Sequence, residues 1–362
     1  MQITSFQERI MPAPAGGGYR QEGYWVWCGS VTRGEDGRYH MFAARWPKKY
    51  PFFHGYLAAS EVVRAAADKA VGPYEFEEVV FPVRGSERWD GRMTHNPFIL
   101  RYGDEYLLFY IGATYEGDTP SPREMNTLRA ASGGNGRVFP WYSSIRIGMA
   151  RATSVNGPWE RPDRPTLDIN SDGWDNNVVT NPSPCLAPDG RILLYYRSSG
   201  CKLGLAVASS PDGPFVRQGA GPVVDPGEGL KIEDPFVFRA GNHYEMVCKD
   251  ITGKITGEPE AGAHMLSSDG MVWSPAPEPK AWSRTISWND GSKTTQASIE
   301  RPFILFSGGC PSYLFAATAD GPGPHDGRPG YYFARNTWNM VIPLKPGMEK
   351  RGGNSFLSAS GG

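Results

Sequence analysis

One hairpin recurs along this chain with its residue order nearly intact, and no other feature narrows the fold so far. "THNPFILRYGDEYLLFYIGA" (94–113) aligns with "TNPSPCLAPDGRILLYYRSS" (180–199), "EDPFVFRAGNHYEMVCKDIT" (233–252) and "ERPFILFSGGCPSYLFAATA" (300–319). Each copy reads as a polar residue or pair, a proline, a short strand, a tight turn and an aromatic-rich strand. "YWVWCGSVTRGEDGRYHMFAAR" (24–45) is a looser fifth copy. The segments between them repeat as well: "IRIGMARATSVNGPWERP" (145–162), "LGLAVASSPDGPFVRQ" (203–218) and "AGAHMLSSDGMVWSP" (262–276) each join a strand of small and apolar residues to a turn and a short aromatic-led strand. "YLAASEVVRAAADKAVGPYEFEEV" (56–79) is a stretched version of the same form.

Four strands per unit, repeating about every 50 to 85 residues, is the pattern of β-propeller blades. The expected fold is all-β: a single five-bladed β-propeller domain over 1–362, with blade cores near 24–79, 94–162, 180–218, 233–276 and 300–345. A β-sandwich with accidental similarity is the alternative. The stretch 114–141 interrupts the spacing, and a loop of that length is expected to form a lid or wall over a site.

Pro97, Pro182, Pro235 and Pro302 are expected at the first residues of the innermost strands, where a missing ladder donor is tolerated. In a propeller those strand ends surround the central axis. The residues just ahead of the prolines then converge, although they are far apart in sequence. They are Thr94, His95 and Asn96; Thr180 and Asn181; Glu233 and Asp234; Glu300 and Arg301. The first copy contributes Trp25, Trp27 and Cys28.

Glycine (45) and proline (32) are abundant, and aromatics make up 12% of the chain, which suits short strands and tight turns rather than disorder. With 37 basic and 38 acidic residues, the charge balance points to neither nucleic acid nor an anionic membrane as a partner. Cys28, Cys185, Cys201, Cys248 and Cys310 are dispersed without CxxC spacing, against both a disulfide framework and a zinc site. His40, His54, His243, His264 and His325 lack metal-ligand spacing, so no metal and no cofactor is expected, with a structural ion in the central channel left open. No run approaches the roughly 18 apolar residues of a membrane span. The segment "MQITSFQERIMPAPAGGGYR" has no apolar core of a signal peptide, and a cytoplasmic location is expected.

At the polar-Pro positions the chain resembles the five-bladed β-propeller glycoside hydrolases, the group of arabinanases, xylosidases and invertase-like enzymes. "EDPFVF" resembles the Asp-Pro motif that such enzymes place at the start of an inner strand, and "ERPFILF" and "HNPFIL" resemble the equivalent positions of other blades. "SSDGMVW" and "ATSVNGPWE" resemble their outer-blade turns. The "NDPNG" and "EC" motifs of the invertase-like branch are absent. The first-blade position that holds a base Asp in arabinanases falls in "YWVWCGS", which has no carboxylate. What the resemblance implies is a glycoside hydrolase on an oligosaccharide or glycoside, with an exo-acting central pocket.

Hydrolysis of a glycosidic bond needs one carboxyl held protonated and another ionised. The catalytic candidates are Glu233, Asp234 and Glu300, with His95 and Asp90 next. Asp90 in "WDGRMTHNP" and Asp175 in "WDNNVVTNP" share a "WD" ahead of their strands, and turn capping is the other role open to both. Asn96 and Asn181 suit sugar hydroxyls. Arg197, Lys249 and Arg301 suit a carboxylate or sulfate on an acidic sugar, or charge pairing with the pocket's own acids. Trp25 and Trp27 suit stacking on a sugar ring, and Asp250 follows the second strand of its blade. A lyase or phosphorylase using the same pocket, or a sugar-binding propeller without catalysis, are the rival readings.

Overall fold

Five antiparallel sheets, each a meander running outward from its first strand, account for almost all the regular structure of the chain. The computed structural model describes residues 5–131, 139, 141–227, 231–324 and 330–346. His325 and part of the 114–141 stretch lie outside these. The first blade is β1 (Tyr24–Arg33), β2 (Tyr39–Pro47), β3 (Glu61–Ala67) and β4 (Glu75–Val79), with helix α1 (Phe52–Ala59) inserted between β2 and β3. The second is β5 (Met93–Tyr102), β6 (Glu105–Ala113) and β7 (Arg146–Ala152), with helix α2 (Pro122–Ala131) between β6 and β7. The third is β8 (Thr180–Leu186), β9 (Ile192–Arg197), β10 (Leu203–Ala208) and β11 (Val216–Arg217). The fourth is β12 (Ile232–Ala240), β13 (His243–Asp250), β14 (Ala261–Ser267) and β15 (Ser274–Trp282). A small hairpin, β16 (Thr285–Ser287) with β17 (Lys293–Thr295), leads to the fifth blade: β18 (Ser298–Ser307), β19 (Cys310–Ala319) and β20 (Thr337–Pro343). The chain is a five-bladed β-propeller.

Every innermost strand carries the same bulge. Pairing of β5 with β6 runs to His95↔Ile111 and resumes at Phe98↔Phe109, so Asn96 and Pro97 together oppose Tyr110. The same two-against-one count occurs at Cys28–Gly29, Asn181–Pro182, Asp234–Pro235 and Arg301–Pro302. The prolines therefore sit inside a bulge, where the ladder is already broken, and not at the strand starts. The residue ahead of each proline, or of Gly29, is left-handed: Cys28, Asn96, Asn181, Asp234 and Arg301 have φ of 55°, 51°, 53°, 59° and 54°. Asn and Asp tolerate this region; Cys28 and Arg301 are held there at a cost of about 1–3 kcal/mol each.

Below the bulges the axis is filled. Phe98, Phe236 and Phe303 meet with ring centroids 5.1–5.5 Å apart. The corresponding positions of the first and third blades are Ser30 and Ser183, whose hydroxyls accept the Ile99 and Val237 amides of the following blades (3.1 and 3.0 Å). The propeller axis is thus a dead end rather than a through-channel.

The ring closes through the N-terminal segment. Phe6 packs on His264 of the fourth blade. Met11 N donates to Pro343 O, and Tyr19 exchanges two backbone hydrogen bonds with Asn339 of β20. Tyr74 N of the first blade then donates to Gly18 O. The segment straps the last blade to the first.

Two sequence expectations change. Residues 56–59 belong to α1, not to a strand, because "FFHGYLAA" forms one short helix with Phe52, His54, Gly55, Leu57 and Ala58 buried. The 114–141 stretch contains α2, and its described residues buttress α1 instead of lining a site. Tyr115 Oη donates to Ala58 O (2.8 Å) and Trp141 Nε1 to Leu57 O (3.1 Å). No helix among the described residues is long and apolar enough to cross a membrane.

Candidate functional site

Each bulge points two consecutive side chains at the axis, in two layers. The left-handed residues form the lower layer, joined edge to edge. Cys28 Sγ donates to Asn96 Oδ1 (2.9 Å), Asn96 Nδ2 to Asn181 Oδ1 (2.9 Å), and Asn181 Nδ2 to Asp234 Oδ1 (2.8 Å). Arg301 completes the set, with Nη1 2.9 Å from Asp234 Oδ1 and its backbone N–H on Oδ2 (3.3 Å). Between this ring and the phenylalanines is a void of about 30 Å³, room for a single water. Burial pushes the Asp234 carboxyl up to about 7; Arg301 opposes the shift, and Glu233 and Glu300 add to it. Burial likewise raises the Cys28 thiol, so it stays protonated.

The residues one step earlier form the upper layer and open into a cavity of about 290 Å³. Trp27, His95, Thr180, Glu233 and Glu300 all line it, one from each blade. Strand β9 contributes Arg197 and β13 contributes Lys249. The wall is aromatic: Trp46, Phe52, Phe53 and Tyr56 from β2 and α1, with Tyr331 packed on Phe52 and Phe53, and Tyr142.

The two carboxyls differ in surroundings. Glu300 has a side chain only 7% exposed; Lys249 Nζ is in direct contact with its Oε1, and Ser298 Oγ donates to the same oxygen (2.7 Å). Glu233 is 20% exposed and lies 3.2 Å from Arg197 Nη2. Lys249 is buried between Glu300 and Glu260 (3.6 Å). Burial alone would lower its pKa, but those carboxylates reverse the effect and keep it charged. Burial raises the Glu260 carboxyl in turn, against the pull of Lys249.

His95 lies between Tyr56, stacked at 4.8 Å, and the edge of Trp46. Its Nδ1 is 2.8 Å from Ser60 Oγ and its Nε2 3.5 Å from Cys28 Sγ. Burial, reinforced by Arg301, drives its pKa well below the ordinary value, so the imidazole is neutral.

Of the residues singled out in the sequence, the cavity gathers Trp27, His95, Asn96, Thr180, Asn181, Arg197, Glu233, Lys249, Glu300 and Arg301. Asp234 lies one layer below, in the axial ring. Asp90 and Asp175 do not line the cavity. Asp90 accepts from Tyr110 Oη (2.6 Å), Arg84 and Arg161; Asp175 accepts from Tyr196 Oη (2.8 Å) and Arg217 (2.7 Å). Trp89 and Trp174 stack on those same tyrosines, so each "WD" locks an approach loop onto its blade. Trp25 is turned away, its Nε1 donating to Tyr50 O (2.9 Å). The Asp250 carboxylate caps the loop after β13, accepting the amides of Gly253, Ile255 and Thr256.

Sequence reading missed Glu260, Tyr56, Tyr142 and Tyr331. Tyr142 and Tyr331 lie in insertions between the strands of the repeat, Tyr56 falls in the stretched copy at residues that form α1, and the only available signal was their aromatic clustering. Glu260 sits at a left-handed position (φ 62°) ahead of β14, with no motif around it. Among the described residues, no group of three or more His, Cys, Asp or Glu is arranged to hold a metal ion.

No protein-family profile matches the chain, and no curated protein sequence does. Solved structures do. A family 117 glycoside hydrolase of the marine bacterium Zobellia galactanivorans superposes with a TM-score of 0.61 at 15% identity, covering 93% of this chain and 88% of that one. An arabinanase of Bacillus subtilis gives 0.56 at 12% identity over 91% and 96%. The catalytic domain of a family 62 α-L-arabinofuranosidase of Coprinopsis cinerea gives 0.60 at 11% identity over 94% and 98%. At such identities the likeness is one of architecture: the chain has the five-bladed propeller fold that these glycoside hydrolases share.

Proposed function

We propose that the chain is a glycoside hydrolase that acts from the end of its carbohydrate substrate, with Glu233 and Glu300 as the reacting carboxyls. The observation that carries this reading is their placement. Equivalent bulge positions of neighbouring blades bring two carboxyls, differently solvated, into one aromatic-walled cavity. The blocked axis favours a substrate entering end-on, and the fold shared with solved glycoside hydrolases supports the reaction class.

Glu300, held by Lys249 and Ser298, is the ionised partner. Glu233 is the acid. As the bond from the anomeric carbon to the leaving oxygen breaks, Glu233 gives its proton to that oxygen. Glu300 either takes a proton from the attacking water or bonds to the anomeric carbon itself; the configuration of the first product, read by NMR, distinguishes the two. Asp234 acts from beneath by fixing Arg301 and Asn181, and neutral His95 takes no proton. The scheme calls on no cofactor.

The test is a panel of aryl glycosides and oligosaccharides, assayed with wild type, Glu233→Gln, Glu300→Gln and Asp234→Asn. Glu300→Gln should lose about 1000-fold or more in kcat on every substrate that wild type cleaves. Glu233→Gln should lose as much on poor leaving groups and far less on dinitrophenyl glycosides, which need little protonation. Full activity of either Glu variant on an oligosaccharide would remove it from the chemistry. Release of an unsaturated sugar by wild type would replace hydrolysis with elimination.

A further inference from the structure

The cavity lining has more positive than negative side chains. Arg197, Lys231, Lys249 and Arg301 face Glu233 and Glu300. Lys249 is matched by Glu300 and Glu260, and Arg301 by Asp234. Arg197 differs in that its counter-charge, Glu233, is itself a proposed reacting carboxyl. Arg197 is 4% exposed at the end of β9, yet its Nε has no hydrogen-bond partner. Its Nη2 meets Glu233 Oε1 at 3.2 Å and Cys201 Sγ at 3.9 Å. The Nε and Nη2 hydrogens form one edge of the guanidinium, an edge that receives a carboxylate or sulfate through two parallel bonds. Here only half of that edge is engaged. An unsatisfied buried donor of this kind costs stability unless a ligand supplies the acceptor.

Catalysis sharpens the point. A general acid carries a proton when it acts, and a protonated Glu233 no longer neutralises Arg197. The guanidinium would then be a buried charge without a counter-charge, an expensive arrangement. Something must balance Arg197 in the reactive complex, and the described residues offer no second carboxylate beside it.

We propose that the substrate supplies it: the sugar held in the cavity bears its own oxyanion, a uronate carboxylate or a sulfate ester, which Arg197 grips through Nε and Nη2. Docking of that group displaces Glu233 from the guanidinium and leaves it free to hold the proton that it delivers. Arg301, whose Nε also lacks a partner, and Lys231 at the exposed rim extend the same positive surface. This inference rests on the hydrolase reading for its catalytic half and stands on the pocket alone for its binding half.

Two measurements separate the halves. Nitrophenyl glucuronides and galacturonides, as both anomers, are compared with the matching glucosides and galactosides. In parallel, binding of free glucuronate, galacturonate and galactose 6-sulfate is compared with glucose and galactose by calorimetry. For at least one anionic sugar, binding should be tighter than for its neutral counterpart by about 10- to 100-fold, the range of a charge-assisted pair. Hydrolysis should show a similar preference in kcat/KM. Arg197→Gln should abolish that preference, bringing the ratio of anionic to neutral sugar, in binding and in kcat/KM, to about one. Arg197→Lys, which keeps the charge and the packing volume, should recover only part of it. Preference for a uronate over a sulfated sugar, or the reverse, identifies the oxyanion.

Equal binding of anionic and neutral sugars would overturn the inference, and cleavage of neutral glycosides in that case would leave the hydrolase reading intact. Tight binding of an anionic sugar with no cleavage of any glycoside would do the opposite. Release of a sugar 1-phosphate that depends on added inorganic phosphate would overturn both, by making free phosphate the oxyanion at Arg197.

Discussion

At the scale of the residue, the chemistry of this propeller is set by neighbours in sequence that have unlike fates. Glu233 faces the cavity; Asp234, the next residue, faces the axis and is locked between Asn181 and Arg301. The difference has a pH consequence. Burial raises the Asp234 carboxyl from its ordinary 3.8 to about 7, so across that window the native state holds a proton that the unfolded chain has released. The stability contributed by this group is therefore greatest below the unfolded pKa and declines as pH rises through the folded one. Asp234→Asn should flatten that decline, which the melting temperature of the two proteins followed from pH 4 to pH 8 will show. An unchanged slope would place the carboxyl among ordinary ionised aspartates. The identities of these residues were legible in the sequence because a proline marks each one. Their division into two layers was not, since strict strand alternation would send Glu233 and Asp234 to opposite faces. Only the bulge, a product of pairing with β13, puts both near the axis.

At the scale of the element, the cavity wall depends on a helix with little support of its own. Helix α1 has eight residues and no side-chain cap, and isolated helices so short do not persist. It is held by packing and by two bonds from the 114–141 segment, Tyr115 to Ala58 and Trp141 to Leu57. Tyr115→Phe deletes one of them at a cost of about 1 kcal/mol. Because Phe52, Phe53 and Tyr56 reach the cavity from this helix, KM should rise more than kcat falls. A parallel fall of kcat with unchanged KM would argue that α1 does not shape substrate binding. The hairpins were readable in sequence from their turns and aromatic second strands. The helix was not: "FFHGYLAA" is apolar around most of its circumference, leaving no periodicity to separate it from a buried strand.

At the scale of the whole molecule, closure relies on one strap. The three backbone bonds that residues 11 to 19 make with β20 and Pro343, and the one that Gly18 accepts from Tyr74, join the fifth blade to the first. Removing the chain through Tyr19 should expose the edge of β20 and open the ring. The expected result is a melting temperature lower by about 5 °C, on the order of what the loss of a few buried backbone bonds implies for a domain this size. A melt within a degree or two of the full chain would show that inter-blade packing alone closes the propeller. The strap was invisible in sequence because "MPAPAGGGYR" has neither strand periodicity nor a partner until the ring is assembled.

The five bulges also separate two kinds of change that most binding sites entangle. Upper-layer side chains are attached to strands whose geometry is set one residue later, by a left-handed residue and the proline or glycine after it. Substituting Trp27 therefore alters what the cavity recognises without touching the hydrogen bonds around the axis, whereas Thr180 also donates to Asn181 Oδ1 (2.8 Å). The axis works as a socket: a family of pockets that differ in the upper layer could be written on one backbone, each keeping Cys28, Asn96, Asn181, Asp234 and Arg301 as its fixed base.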